Sequence, residues 1–200
     1  MAWNFHWRRS WDEVWERAHL ARWQAAAEAP EAAATPFMHP ALVRGWLTTL
    51  GGPAAFAPFF LEATDSGGRR VFWLLVRPRT GWRQGLQRRL LPVGQGTGGP
   101  HFAYSDPIVV PASADGPPDA PGFWPAFERE LRGRAGDWFD SFALHRIRDR
   151  AFGADFGTPA PQGSPVVRLD AYPDFAAYMA ARPNGLMKQI ERRRRKAASE

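Results

Sequence analysis

Two apolar runs on either side of a glycine turn decide the fold of this chain. They are Phe56-Ala-Pro-Phe-Phe-Leu-Glu62 and Val71-Phe-Trp-Leu-Leu-Val-Arg77, and Asp65-Ser-Gly-Gly68 lies between them. Aromatic and β-branched residues are enriched in strands, and a short polar stretch with glycine suits a tight connection. The sequence therefore predicts a β-hairpin here.

Further strands are predicted on the C-terminal side of the hairpin. Leu86–Val93 is expected as a third strand and Ile108–Val110 as a short fourth. Trp138–Leu144 has the composition of a buried strand, and Val166–Leu169 of a brief one. Pro/Gly-rich loops separate these segments.

Helices are predicted before the hairpin and after it. Ser10-Trp-Asp-Glu13 has the form of a capping box, which predicts a helix from Ser10 to about Ala29. Trp3 and Trp7 fit the same four-residue spacing and suit an earlier start, but the cap is favoured. The remaining predicted helices are one that begins at Pro40 and ends at Gly51-Gly52, one over Phe123–Arg134, one over Asp174–Ala181, and one from Leu186 to the chain end.

This order of elements predicts an α/β protein of the α+β type. Helices come first, a run of strands follows, and a helix and more strands complete the pattern. Such a sequence of elements is typical of a mixed layer in which helices flank a mainly antiparallel sheet.

Composition excludes several classes of function. None of the 200 residues is cysteine, which removes disulfides, thiolate catalysis and cysteine zinc sites. The longest apolar run, Val71–Val76, is far short of the ~18 residues that a membrane span needs. The N-terminus lacks the apolar core of a secretory signal, so a cytoplasmic location without a transmembrane segment is the expectation.

Positive charge is concentrated near the end of the chain. The net charge is +6, and residues 188–200 account for +4 of it. Because the rest is nearly neutral, an extended nucleic-acid surface is not indicated. Arg192–Arg195 sweep most of a helix circumference, so they cannot all face one groove. Nucleic acid is therefore an unlikely partner, although a non-catalytic module that binds it through this helix stays open as the alternative function.

Four short segments form a more specific series. They are Trp11–Val14; Thr35-Pro-Phe-Met-His-Pro40 with the following helix that carries Trp46; Phe102-Ala-Tyr-Ser-Asp-Pro-Ile-Val109; and Val166–Leu169 with Asp174–Met179 and the arginine-rich helix 189–198. In this order they resemble the N-terminal half of the CelD-type acyltransferases, in the FemAB-like branch of the GNAT superfamily. Pro183-Asn184-Gly185 departs from the unbroken helix start that this family usually has.

The resemblance implies an enzyme that transfers an acetyl or other acyl group from acyl-CoA to an amine or hydroxyl acceptor, with an envelope or polysaccharide acceptor as one option. It implies a GNAT-like N-terminal lobe over residues 10–182, after an extension over 1–9. Residues 183–200 would begin a basic helix that leads into a second GNAT lobe after Glu200. Acyl-CoA would be a cosubstrate, and no metal is implied.

The glycine-rich segment is the candidate acyl-CoA site. GNAT enzymes hold the pyrophosphate on backbone amides between a strand and a helix N-terminus. Gly94, Gly96 and Gly98 are the candidates for that role, but neither Leu91–Gly96 nor Gln95–Pro100 matches the usual pattern. The alternative is that these glycines serve turns with positive φ.

Tyr104 and Asp106 are the candidates for the acceptor site. Tyr104 would donate a proton or Asp106 would anchor the acceptor, and His101 lies close by in sequence. The alternative is structural, with Asp106 capping the turn before Pro107. No general base is assigned. The histidines have no metal-ligand spacing, and His39, before Pro40, is a candidate helix cap.

Overall fold

The computed structural model describes residues 2–49, 52–79, 88–96, 99–100, 102, 105–144 and 147, with isolated positions from 173 to 195. Contacts divide the chain into two compact units, Met1–Pro161 and Gln162–Glu200. In the second unit Arg192 and Arg195 are helical and exposed. The strand expected at Val166–Leu169 and most of both C-terminal helices lie outside the described residues. Within the described ranges, no helix has both the length and the apolar character to cross a bilayer.

A mixed, mostly antiparallel sheet forms the centre of the first unit. Its strands are β1 (Trp3–Arg8), β2 (Phe56–Asp65), β3 (Arg70–Pro78), β4 (Arg89–Pro92), β7 (Ile108–Val110) and β8 (Ser141–Phe142), while β5 (Gln95–Gly96) and β6 (Gly99–Pro100) form a separate ribbon. The order is β1-β2-β3-β4-β8, and β7 pairs with the start of β3. Only β4 and β8 pair in parallel among these strands. The predicted α+β class is confirmed.

The hairpin is closed by the side chain of Asp65. Its Oδ1 accepts hydrogen bonds from the backbone N–H groups of Gly67 (2.9 Å) and Arg69 (2.8 Å). These bonds and the nearby Arg69 guanidinium lower the pKa of Asp65 against the opposing effect of burial. An aspartate that bonds its own turn in this way favours the reversal of the chain, as the sequence predicted.

Four helices are described: α1 (Trp11–Val14), α2 (Arg17–Glu28), α3 (Pro40–Thr49) and α4 (Phe123–Arg134). Short 3-10 turns precede α3 at Pro36–Met38 and β2 at Pro53–Ala55. The predicted starts at Pro40 and Phe123 are confirmed. So is the capping box, in which Ser10 and Glu13 exchange side-chain and backbone hydrogen bonds.

The N-terminal region differs from the expectation in two ways. The single helix predicted over Ser10–Ala29 is broken at Glu16, whose carboxylate accepts from Ala18 N and His19 N and so starts a new helix. Residues 1–9, expected as an extension, instead include β1, which is paired along its length with β2. Trp3 and Trp7 share one face of a strand as readily as one face of a helix, because four is a multiple of the strand period.

Helices cover both faces of the sheet. Trp124 of α4 packs edge-on against Trp73 at 5.6 Å between centroids, on the face that β1 also lines with its tryptophans. On the opposite face, Trp23 of α2 meets Phe60 at 4.8 Å, and Trp46 of α3 meets Phe56 at 4.9 Å. Burial on both faces explains why β2 and β3 are nearly continuous apolar runs.

The region predicted as a strand over Trp138–Leu144 contains only a short one, β8. Trp138 and Phe139 are buried, but they lie in a turn where Gly136 N donates to Phe139 O at 2.8 Å. Their rings pack against neighbouring aromatic side chains, so burial here does not require a strand.

Candidate functional site

The glycine-rich segment begins directly after β4, where a glycine is needed for packing. Gly94 has φ +81°, and its carbonyl accepts a hydrogen bond from Phe102 N at 3.3 Å. A Cβ at this position would overlap the Phe102 ring. Turn geometry and close approach together account for this glycine.

Past Gly94 the chain forms a small ribbon. Gly96 pairs with Gly99, and Gln95 pairs with Pro100. Gly98, His101 and Tyr104 lie outside the described residues. The assignment of Gly94, Gly96 and Gly98 to acyl-CoA, and of Tyr104 to the acceptor, therefore stays a prediction.

Asp106 lies at the end of this segment, where the chain returns to the sheet. The preceding Ser105 is fully buried, and its carbonyl accepts a hydrogen bond from Trp73 Nε1 at 2.9 Å. This bond ties the segment to β3 immediately before β7 begins. As a result Asp106 is held inside the protein, with 8% of its surface exposed.

Asp106 lines a cavity of about 480 Å³, which we call the Asp106 cavity. Its walls come from residues 33–35 before the first 3-10 turn, from 106, 107 and 109 at β7, and from 118–121 before α4. The bridge between Ala33 and Val109, with N···O distances of 2.9 and 3.0 Å, fixes the first two walls together. The cavity is large enough for a small organic molecule.

Thr35 is a buried residue that lines the same cavity. Only 6% of Thr35 is exposed, and its Oγ1 makes no hydrogen bond to any described residue. Thr35 precedes Pro36 at the start of a 3-10 turn, where a threonine ordinarily caps, yet it makes no side-chain cap. A buried hydroxyl without a partner lowers stability.

Two carboxyl side chains line the cavity. Asp106 and Asp119 both line it, and no lysine or arginine belongs to its described lining. Asp119 is 59% exposed and lies 3.8 Å from Arg69 Nε, so part of its charge is offset. Asp106 is the buried carboxylate. These groups favour a ligand that is cationic or rich in hydrogen-bond donors.

The sequence singles out Asp106 but not Thr35. The Thr-Pro pair belongs to the motifs that carry the resemblance, and the ordinary expectation for it is a helix cap. Only the structure shows that Oγ1 is unused and that Thr35 lines the same cavity as Asp106. The pairing depends on the Ala33–Val109 bridge, which no local pattern indicates.

A second cavity, of about 620 Å³, lies between α2 and α3, and His39 lines it. Ala41 N donates to His39 Nδ1 at 3.2 Å, and His39 Nε2 donates to Glu28 Oε1 at 3.1 Å. The bond from His39 lowers the pKa of Glu28. Because both ring nitrogens are engaged, His39 is a helix cap rather than a base, as the sequence suggested. Within the described residues, no cluster of histidine and carboxylate side chains could hold a metal ion.

Buried His19 is the other histidine with a defined environment. Its Nδ1 donates to Val14 O at 2.8 Å, which leaves Nε2 unprotonated, buried and without a partner in the described structure. Burial lowers the pKa of His19. The ring packs edge-on against Phe60 at 4.4 Å, so it belongs to the core of the α2 side of the sheet.

Comparison with known proteins adds no relative to this picture. No protein-family model, curated protein or solved structure matches the chain. The Asp106 cavity and the sequence motifs are therefore the observations that bear on function.

Proposed function

We propose that this chain is the N-terminal lobe of a GNAT-type acyltransferase and that the Asp106 cavity receives the acceptor. The observation that carries the proposal is that buried Asp106 lines one cavity together with Thr35, whose hydroxyl has no hydrogen-bond partner among the described residues. An amine acceptor suits this pair, because its N–H groups would bond both oxygens.

In the proposed reaction the acceptor nitrogen attacks the thioester carbonyl carbon of acyl-CoA. A C–N bond forms, the C–S bond breaks, the CoA thiol leaves, and the nitrogen gives up a proton. Asp106 and Thr35 would hold the amine so that its nitrogen is positioned for attack. The base that takes the proton is not assigned, and Tyr104 stays a candidate contributor.

The sheet supports a binding site near the glycine segment. β4 and β8 are parallel, and α4 lies between them in the chain. In open α/β sheets, ligands bind beyond the carboxyl ends of parallel strands, and the two-residue pairing of β4 and β8 is proposed to act in the same way. Gly94 follows the carboxyl end of β4, so acyl-CoA is proposed to approach there.

Substitution of Thr35 gives a sharp kinetic test. In the complete enzyme, Thr35→Val should lower kcat/KM for an amine acceptor about fivefold, the value of one hydrogen bond. Asp106→Asn should lower it roughly tenfold or more, because a charge-assisted bond is lost.

The melting temperature distinguishes a binding role of Thr35 from a structural one. Because Thr35 Oγ1 has no partner, Thr35→Val should leave the melting temperature unchanged or raise it. Asp115→Asn is the matched control, since Asp115 is exposed and lies outside the cavity. The proposal fails if Thr35→Val retains full kcat/KM, or if Asp115→Asn loses as much activity as Asp106→Asn.

A further inference from the structure

Arginines gather at the end of the sheet opposite the glycine segment. β1 and β3 finish at this end, and β4 begins there. We use the name arginine edge for four residues at these strand ends: Arg9, Arg77, Arg79 and Arg88. Their positions follow directly from strand direction, because Arg9 and Arg79 come just after two strands and Arg88 just before a third.

Aromatic rings hold part of the arginine edge in place. The guanidinium of Arg9 lies 4.6 Å from the Trp138 ring centroid and 5.6 Å from that of Phe59. Arg77 lies 5.7 Å from the same Phe59 centroid, and its Nη1 donates to Trp138 O at 2.5 Å. Arginines stacked on rings lose less conformational entropy when they bind a ligand, so the edge is partly preorganised.

Among the described residues, Asp137 and Asp140 are the carboxylates that act on Arg88 at this edge. Asp140 is engaged by Arg88, with contacts of 2.7 Å from Nη2 to Oδ1 and 2.8 Å from the backbone N to Oδ2. Arg9, Arg77 and Arg79 form no ion pair with any described residue. Burial lowers the pKa of Arg77, and the charges of Arg88, Arg79 and Arg9 lower it further, while the charge of Asp140 opposes the shift. The like charges repel one another and leave several guanidinium N–H groups free to bond an anion.

We propose that the arginine edge is a binding site for a phosphate-bearing solute, held at Arg77 with Arg9 and Arg79 beside it. A guanidinium presents N–H groups in a planar fork that matches phosphate oxygens, and a doubly charged phosphate offsets the repulsion between the arginines. The site is independent of the proposed acyl transfer, because Gly94 and the Asp106 cavity lie toward the other end of β3 and β4.

Inorganic pyrophosphate is the probe for this site. Titration of the whole chain by calorimetry should show one binding event, and the melting temperature should rise more with pyrophosphate than with sodium chloride of equal ionic strength. Arg9→Gln and Arg79→Gln should each weaken binding about tenfold, as expected for the loss of a charge-assisted bond. Both side chains are exposed, so the variants are expected to fold.

Arg44→Gln is the matched control. Arg44 is exposed and lies 4.8 Å over the Trp15 ring, but it is on α3, away from the arginine edge. Its loss should change pyrophosphate affinity by less than about twofold. Without ligand, Arg79→Gln should melt no lower than the parent, because a repulsive charge is removed. The proposed site is refuted if pyrophosphate raises the melting temperature no more than sodium chloride of equal ionic strength. It is also refuted if Arg44→Gln weakens pyrophosphate binding as much as Arg79→Gln.

Discussion

At Gly94 the backbone has φ +81°, and the Phe102 ring occupies the space that a Cβ would take. Gly94→Ala should therefore lower the free energy of unfolding by about 2–4 kcal/mol, through backbone strain and overpacking combined. Gly68 is the matched control, because its φ is +90° while nothing lies within 4 Å of the position that a Cβ would occupy. Gly68→Ala should cost about 1 kcal/mol. If urea unfolding gives Gly94→Ala and Gly68→Ala the same loss of unfolding free energy, the Phe102 ring does not pack against Gly94 as described.

His19 makes the fold sensitive to mild acid. Burial is the largest cause of its lowered pKa, and the charges of Arg8 and Arg22 lower it further, while the bond to Val14 O and the charge of Glu62 oppose the shift. The unfolded chain binds a proton at His19 near pH 6.5, whereas the folded chain resists it. Stability is therefore complete above about pH 6.5 and falls as the pH drops from there toward the lowered folded pKa.

Urea titrations at pH 7.5 and 5.5 test this dependence. The parent should lose stability between the two values, and His19→Gln, whose amide can still donate to Val14 O, should lose less. His6→Gln is the control, because His6 is exposed on β1. An unchanged pH dependence in His19→Gln would assign the acid sensitivity to another group.

Among the helices, the break between α1 and α2 depends on the side chain of Glu16. Glu16 accepts hydrogen bonds from Ala18 N and His19 N, both at 2.9 Å, and these bonds lower its pKa. Glu16→Ala should lower the melting temperature and reduce amide protection in the first turn of α2. Asp115→Ala, in an exposed loop, should do neither. Full protection of Ala18 and His19 in Glu16→Ala would mean that the helix does not need this cap.

Elements with a start signal and a full apolar stripe could be predicted from the sequence. Pro40 marks the start of α3, and Phe123, Phe127 and Leu131 recur at helical spacing along α4. β1 could not be predicted, because the spacing of Trp3 and Trp7 fits both periods and only its pairing with β2 decides between them. Ambiguity of this kind is removed by long-range contacts, which a single sequence does not display.

The candidate site could be predicted only in part for the same reason. Asp106 precedes a proline, and the sequence therefore proposes it either as an anchor or as a turn cap. Thr35 is a candidate because its hydroxyl does not cap the following 3-10 turn. It lies near Asp106 because a bridge joins the two distant segments. Neither feature can be read from a local pattern. Together they bring Thr35 and Asp106, which are far apart in sequence, to the same cavity.

At the scale of the first unit, the two proposed sites are lined by side chains of opposite charge. The Asp106 cavity presents carboxylates, and the arginine edge presents guanidinium groups. The Asp106 cavity, at β7, therefore favours a cationic ligand. The arginine edge, at the start of β4, favours an anionic one. The two proposals can be tested separately, since Thr35 and Asp106 contribute to one site and Arg9 and Arg79 to the other.

Direct titration with an amine tests whether the Asp106 cavity receives this class of acceptor. Backbone amide chemical shifts should be followed while n-butylamine or n-butanol is added to the chain at constant pH and ionic strength. We expect butylamine to shift Thr35, Asp106 and Asp119, because their oxygens face a cationic donor, and butanol to shift them far less. Thr35→Val and Asp106→Asn should each weaken the response. Equal shifts with the two probes, or amine shifts confined to residues outside the cavity, would contradict the account.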